Sequence, residues 1–553
     1  MAMGCVDMLP FPLRSAGRGL AARSQISRKY RFYVYGNYAG PSSNLLLTIV
    51  PINTDIFEEY LEIFFLFLSK LEFRSAILHY LPYPMQTRTE KDSMGIMEVP
   101  SDALYGATTQ RAVLNFPVSG YRFSRPLIRA LGMVKWAAAQ SNRDLGKLRE
   151  QQANLIMQAA EEVIEGKWDQ HFPIDIFQTG SGTSSNMNAN EVIANRCSQI
   201  AGRPIGSKDP IHPNDHVNMG QSSNDVIPTA IHIAVAESAR NELMPALDRL
   251  QQGLEAKAQE FWDVIKIGRT HLMDATPVRL GQEFSGYAKQ VEHGRLRAGN
   301  AIAAVEELAL GGTAVGTGLN THPEFAGHVM GYLWNRTGIA FREARNHFEA
   351  QGAKDGLVEA SSEIRTIAVS LFKIANDLRF LSSGPRCGIG EIQLPATQPG
   401  SSIMPGKVNP VICESVMQVC AQVLGNDTAI CWGGANGNLE LNVMMPMMAH
   451  NLLESIRLLT NVVHIFQEKC IAGITANRER ANELVEYSMA MVTSLAPIIG
   501  YDRAAEIAKE SARTGRTVRE ICREWKVLPE AELNKALDPI EMTKPGGEGS
   551  AGG

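Results

Sequence analysis

The sequence predicts an all-α protein built around a central bundle of long helices. Three observations carry this. Several segments after Met85 repeat apolar residues at a spacing near 3.6 over many turns. Strict period-2 alternation is nearly absent from the same stretch. The long periodic segments are separated by strong stops such as Gly384-Pro385. In chain order, Ser124 and Pro126 supply a cap and a first turn for LIRALGMVKWAAAQ. Gln151 to Ile164 has helical spacing and is closed by Gly166. LVEASSEIRTIAVSLFKIANDLRFLSS, from Leu357, runs to the Gly384-Pro385 stop. Further helices are expected over 411–430 and 448–466. The end, TKPGGEGSAGG, reads as a flexible tail.

The totals bound the function. A chain of 553 residues exceeds what one core supports, so several packed units are expected. Hydrophobic residues make up 44% and charged residues 20%, which excludes a disordered chain. A net charge of −5 and a pI of about 6.2 give no basic surface for nucleic acid. The eight cysteines are scattered with no CxxC pair, which argues against a zinc cluster or a disulfide framework and fits a reducing compartment, the cytoplasm. No membrane span is expected: the charge-free run from Phe32 to Thr54 is broken by Gly36, Gly40, Pro41 and Pro51.

Residues 1–84 differ from the rest. From Met1 to Thr54 the only acid is Asp7, against Arg14, Arg18, Arg23, Arg28, Lys29 and Arg31. That composition suits an organelle transit peptide, which would place the protein in the mitochondrial matrix. The favoured reading is translation upstream of a true start at Met85, where the polar segment MQTRTEKDSMG would make a normal N-terminus; a poorly ordered appendage is a further alternative.

Four polar clusters interrupt the helical pattern. Gln178 to Arg196, QTGSGTSSNMNANEVIANR, places Ser181 and Thr183 at a helix start, either as an elaborate cap or as a carboxylate site on a positive helix end. His212 to Ala234 holds Ser222, Ser223 and Asn224 before another helix, and a separate polar turn at His212, Asn214 and Asp215. His212 and His216 lack a third ligand of suitable spacing, so no metal is expected. Gly268 to Phe284 carries Thr270 and His271 among turn residues. Gly400 to Pro410, GSSIMPGKVNP, combines Ser401, Ser402, Lys407 and Asn409 in a loop too rich in glycine and proline for a helix, with Glu414 on the helix that follows. Many neutral donors around one ammonium suit a small dianion. No Walker loop or GxGxxG is present, so nucleotide binding has no motif.

GSSIMPGKVNP matches the signature of the aspartase/fumarase superfamily. With the other clusters and LALGGTAVGTGLNTHPEF, Leu308 to Phe325, the chain resembles class II fumarases from about Thr87 to about Pro545. The resemblance implies a three-domain all-α fold: an N-terminal domain over 85–221, a central bundle over 222–478 and a C-terminal helical domain over 479–545, with the extension 1–84 and the tail 546–553 outside it. It implies a homotetramer whose active sites are each shared by three subunits.

The implied activity is that of a hydro-lyase of the tricarboxylic acid cycle. It hydrates fumarate reversibly to L-malate, with a small dicarboxylate as partner and no cofactor. By resemblance, Ser401 is the base, and Lys407 and Asn409 hold the charge that develops on the substrate carboxylate. His271 holds the catalytic water beside Glu414. Ser181, Thr183, Ser222, Ser223, Asn224 and Thr270 bind substrate, and His212, Asn214 and Asp215 form a second dicarboxylate site. Met273 stands where THLQDATP often has glutamine. Aspartate ammonia-lyase is the alternative; such sequences usually carry glutamine at the position of His271 and alanine at that of Gly406, so both residues favour fumarase.

Overall fold

The computed structural model describes residues 86–545. The expectations for the extension 1–84, the start at Met85 and the tail 546–553 lie outside these residues.

The described chain opens with a hairpin of β1 (Thr87–Asp92) and β2 (Gly95–Pro100), paired antiparallel from Thr87–Pro100 to Asp92–Gly95. Helix α1 (Ala107–Asn115) packs on it. Helices α2 (Arg125–Asp144) and α3 (Glu150–Ile164) pair closely through an apolar stripe that includes Leu127, Leu131, Val134, Ile156 and Val163. Ser124 is the N-cap residue of α2 and Pro126 sits in its first turn, as expected, although the Ser124 side chain makes no capping bond.

The centre of the fold is a set of long helices: α4 (Thr183–Ile200), α5 (Ser223–Ser238), α6 (Met244–Glu260), α7 (Leu280–Ala303), α8 (Phe325–Thr337), α9 (Asp355–Leu381), α10 (Val411–Gly434) and α11 (Met445–Lys469). A π-helical turn, Ala239–Leu243, joins α5 to α6 without a break. At 1.5 Å per residue α9 is about 40 Å long. It packs against α10 and α7, α6 packs against α7, and α10 packs against α11. One contiguous apolar cluster runs through these helices from Leu104 to Ala481. Its aromatic centre is the edge-on series Phe261–Phe284–Tyr287, with ring centroids 5.2 Å and 5.6 Å apart.

A second apolar cluster gathers Val485, Leu495, Ile507, Val518, Ile521 and Leu533 from α12 (Arg478–Tyr487), α13 (Tyr501–Thr514), α14 (Val518–Glu524), α15 (Glu530–Ala536) and the turns between them. Ile265 and Ile267 join it from a hairpin of β3 (Ile265–Thr270) and β4 (Met273–Arg279). The sequence reads 268–284 as a cluster of turn residues between helices; the structure makes a strand of each side of that turn, and α7 starts at Leu280. The β3 pattern is a buried run rather than an alternation, because Ile265 and Ile267 meet the second cluster while Lys266 is buried in ion pairs with Glu283 of α7 and Glu391. No described helix is long and apolar enough to cross a membrane.

Phe284 is wholly buried and touches two aromatic rings. Phe284→Ala should destabilise the protein by about 3–5 kcal/mol, read as a fall in the denaturant midpoint. An unchanged midpoint would show that the ring is not part of a packed core.

Candidate active site

The first cluster forms where two helix N-termini meet. Gly180 lies against the segment that leads into α11: a Cβ there would come within 1.8 Å of the Val443 carbonyl oxygen, so only glycine fits. Gly182 turns the backbone with φ +71°, a conformation open to glycine, and packs on Ile227 of α5. The turn delivers Ser181 and Thr183 to the start of α4, where their hydroxyls share a 2.7 Å hydrogen bond. Beside them Ser222 caps α5. Its Oγ accepts from the Asn224 N–H at 3.2 Å, while Asp225 Oδ1 accepts from the Ser222 N–H at 2.9 Å. Asn186 of α4 donates to Ser223 Oγ at 3.0 Å, joining the two helix ends.

Asp225 holds a third segment in place. Its Oδ2 accepts from the Gly311 and Thr313 N–H groups at 3.1 and 2.9 Å, and Asn224 Nδ2 donates to the Ala314 carbonyl at 2.7 Å. The glycine-rich loop after Leu308 is thereby fastened beside Ser222–Asn224. Burial pushes the Asp225 carboxyl up to about 6, against the backbone donors and Lys135 that favour its charge. Asp225 and Asn186 were not singled out from the sequence. The pattern Ser222-x-x-Asp225 is a capping-box signal that could have marked the first; Asn186 has no such signal.

Thr270 and His271 sit at the tip of the β3–β4 hairpin and are exposed. His271 and Leu272 form its two-residue turn with φ +55° and +61°, where side-chain-bearing residues are disfavoured by roughly 1–2 kcal/mol each. The hairpin is held at its base by charge. Arg269 grips Glu391 with two bonds of 2.9 and 3.1 Å, and Lys266 lies between Glu391 and Glu283 at 3.3 and 2.8 Å. Glu391 and Lys266 are fully buried, and two cations balance two carboxylates.

The loop at 400–410 is open to solvent and held by its own bonds. Gly400 N–H donates to the Lys407 carbonyl at 2.9 Å, and Asn409 Nδ2 donates to the Gly400 carbonyl at 2.7 Å. Ser401 Oγ accepts from two backbone N–H groups, of Met404 at 2.9 Å and Ile403 at 3.2 Å. Two donors on one oxygen stabilise an alkoxide more than a neutral hydroxyl. Lys407 is exposed, and Glu414 is half-buried in the first turn of α10.

The chain therefore brings Ser181, Thr183, Ser222, Ser223 and Asn224 together. Among the described residues, no hydrogen bond or ion pair links that group to Thr270 and His271 or to the Ser401 loop, and none links His271 to Glu414. The remaining expected residues lie apart again. His212 Nδ1 accepts from the Asn214 and Asp215 N–H groups at 3.3 and 3.2 Å. His212 and Asn214 line a cavity of about 330 Å³ with Lys91 and Lys208; Asp215 is exposed outside its lining. No group of three or more His, Cys, Asp or Glu among the described residues could hold a metal ion.

Residues 95–425 match the family model described as Lyase, and residues 491–544 match that described as Fumarase C C-terminus. The chain is 57% identical over 459 residues to the fumarate hydratase class II of Halobacterium salinarum, covering 83% of this chain and 97% of that one. It is 51% identical over 461 residues to that of Neisseria meningitidis, covering 83% and 100%. The chain belongs to the class II fumarate hydratase family. A crystal structure of class II fumarase from Schistosoma mansoni superposes with a TM-score of 0.81 at 39% identity, over 84% of this chain and all of that one. A fumarate lyase:delta crystallin from Brucella melitensis gives 0.80 at 48%, over 83% and 100%. The all-α fold of class II fumarases is thus shared by this chain.

Gly400 tests the geometry of the loop. A Cβ there would lie 2.3 Å from the Lys407 carbonyl oxygen and would force open the turn that holds Ser401 and Asn409. Gly400→Ala should lower kcat by about 10²-fold, the usual effect of a displacement near 1 Å, with an unchanged thermal midpoint because the loop is exposed. Normal turnover in this variant would show that the loop geometry does not matter.

Proposed function

We propose that this chain catalyses the reversible hydration of fumarate to L-malate. The supporting observation is the Ser401 loop: an oxygen that receives two backbone N–H bonds, in a loop that also carries Lys407 and Asn409. In the dehydration of L-malate Ser401, as alkoxide, takes the proton from the carbon beside one carboxylate. The electron pair spreads into that carboxylate, which then carries an additional negative charge. Lys407 and Asn409 meet that charge, and donors already in place need no reorganisation as it develops. The carbon–oxygen bond then breaks on the neighbouring carbon. The leaving hydroxyl takes a proton on the His271 side and departs as water, while Glu414 orients the imidazole. Ser181, Thr183, Ser222, Ser223, Asn224 and Thr270 bind the carboxylates through neutral donors at helix ends. His212, Asn214 and Asp215 form a separate dicarboxylate site outside the chemistry.

This reading takes the protein to be a homotetramer, as the family resemblance implies; among the described residues no hydrogen bond or ion pair joins the three groups within one chain. The central helices support it. Val369, Phe372 and Phe380 of α9 and Leu424 and Trp432 of α10 are exposed apolar side chains on two helices that pack together. The cytoplasm is the proposed compartment, supported by the seven described cysteines all being free thiols, including Cys413 and Cys470 with sulfurs 3.8 Å apart.

The test follows fumarate by its ultraviolet absorbance. The purified protein should form fumarate from L-malate, and Ser401→Ala should lower kcat by at least about 10²–10⁴-fold with the oligomer intact. Faster production from L-aspartate than from L-malate would instead make it an ammonia-lyase. Near-normal kcat in Ser401→Ala would remove Ser401 as the base.

A further inference from the structure

Lys135 is an anomaly in α2. It lies in the buried part of α2 and is 0% exposed; with Lys266 it is one of the two largest wholly buried polar side chains described. Burying an ammonium is costly unless it is bonded. Its Nζ donates to Asn218 Oδ1 and to Gln221 Oε1, both at 2.9 Å.

These contacts have a direction. An amine facing two amides as donor requires that each present its oxygen. Burial pulls the Lys135 ammonium down to about 7, opposed by Asp225, and as an ammonium Nζ has donors only, so both amides turn their oxygens to it. With Oδ1 turned to Lys135, Asn218 directs its Nδ2 to the Gln221 carbonyl at 3.1 Å. Asn186 meets the same Asn218 Oδ1 and must present its NH₂, at 3.2 Å. The other N–H of that NH₂ goes to Ser223 Oγ at 3.0 Å. Asn186 Oδ1 has no partner among the described residues, so the orientation of this amide is set from the Asn218 side alone. Ser223 therefore accepts inside the protein, and its own proton is left to donate outward.

We propose that Lys135 is a positioning residue that fixes the hydrogen-bond polarity of the substrate site, acting through Asn218 and Asn186 to keep the Ser223 hydroxyl a donor toward a dicarboxylate. The proposal rests on the fumarate hydratase reading and deepens it. A dianion can be met only by donors. A serine that turned its proton inward would present lone pairs to a carboxylate and would weaken binding rather than assist it. Because Ser223 meets substrate and transition state alike, the effect belongs in affinity and not in the chemical step.

The experiment is a double-mutant cycle on the full chain, with succinate, an unreactive four-carbon dicarboxylate, as the calorimetric probe and fumarate for kinetics. Lys135→Met should weaken succinate binding and raise KM for fumarate by about tenfold, the usual size of one hydrogen bond to a charged group, with kcat nearly unchanged. In a Ser223→Ala background the same substitution should weaken succinate binding no further. A merely structural lysine would act equally in both backgrounds, and that result, or unchanged affinity in Lys135→Met, would overturn the proposal. If Lys135→Met is insoluble, Asn186→Ala breaks the last link without touching the amine and must give the same non-additive result. Wild-type protein that binds succinate but does not turn over fumarate would sink the enzymatic reading alone, since the succinate cycle decides the polarity claim separately.

Discussion

A dianionic substrate that gains further negative charge during reaction is the constraint on which this structure depends. Such a charge is stabilised by donors fixed before the reaction starts, not by mobile side chains that must reorganise. Helix ends provide this, since their first N–H groups lack intrahelical partners and carry the positive end of the dipole. Ser181, Thr183 and Ser222–Asn224 stand at the starts of two adjacent helices, and the Ser401 loop leads into a third. The helices are long and packed along their length, which makes their ends rigid supports.

Around this arrangement the buried charges are balanced locally. Asp225 ties one helix start to the Gly311–Thr313 backbone, and Glu391 ties the His271 hairpin to the segment that leads toward Ser401. Each would be costly if left unpaired. Each joins segments far apart in sequence, so removing one partner would release a whole functional cluster and not a single contact. The strained His271–Leu272 turn is held by the Arg269–Glu391 pair at its base.

Much of the fold was legible in the sequence because long amphipathic helices write their period into it. The α2 cap, the α3 end at Ile164 and the stop after Leu381 fall where the pattern placed them, and α10 begins at Val411 as read. The hairpins were not legible. β1 and β2 alternate in burial, but the inward side chains of β1 are charged, Arg88, Glu90 and Asp92, held by ion pairs instead of apolar contact. The β3–β4 turn uses His-Leu where hairpin turns usually advertise themselves with Asn-Gly. The candidate clusters stood out as dense groups of Ser, Thr, Asn and Gly. Their supports were not: Lys135 looks like an ordinary surface lysine on a helix, and its partners lie 83 and 86 residues away. Distance along the chain is what hides buried polar networks from a reading of local pattern.

The central claim is that the three groups of active-site residues complete one another between subunits. Ser401→Ala and His271→Asn chains, each inactive alone, can be co-expressed and the mixed oligomers isolated. If Ser401 and His271 reach a given site from different subunits, some sites in the mixture receive both intact residues, and fumarate hydration should return to a sizeable fraction of the wild-type rate. If both residues of a site come from one chain, every site lacks one of them, and mixed oligomers as inactive as either parent would contradict the account.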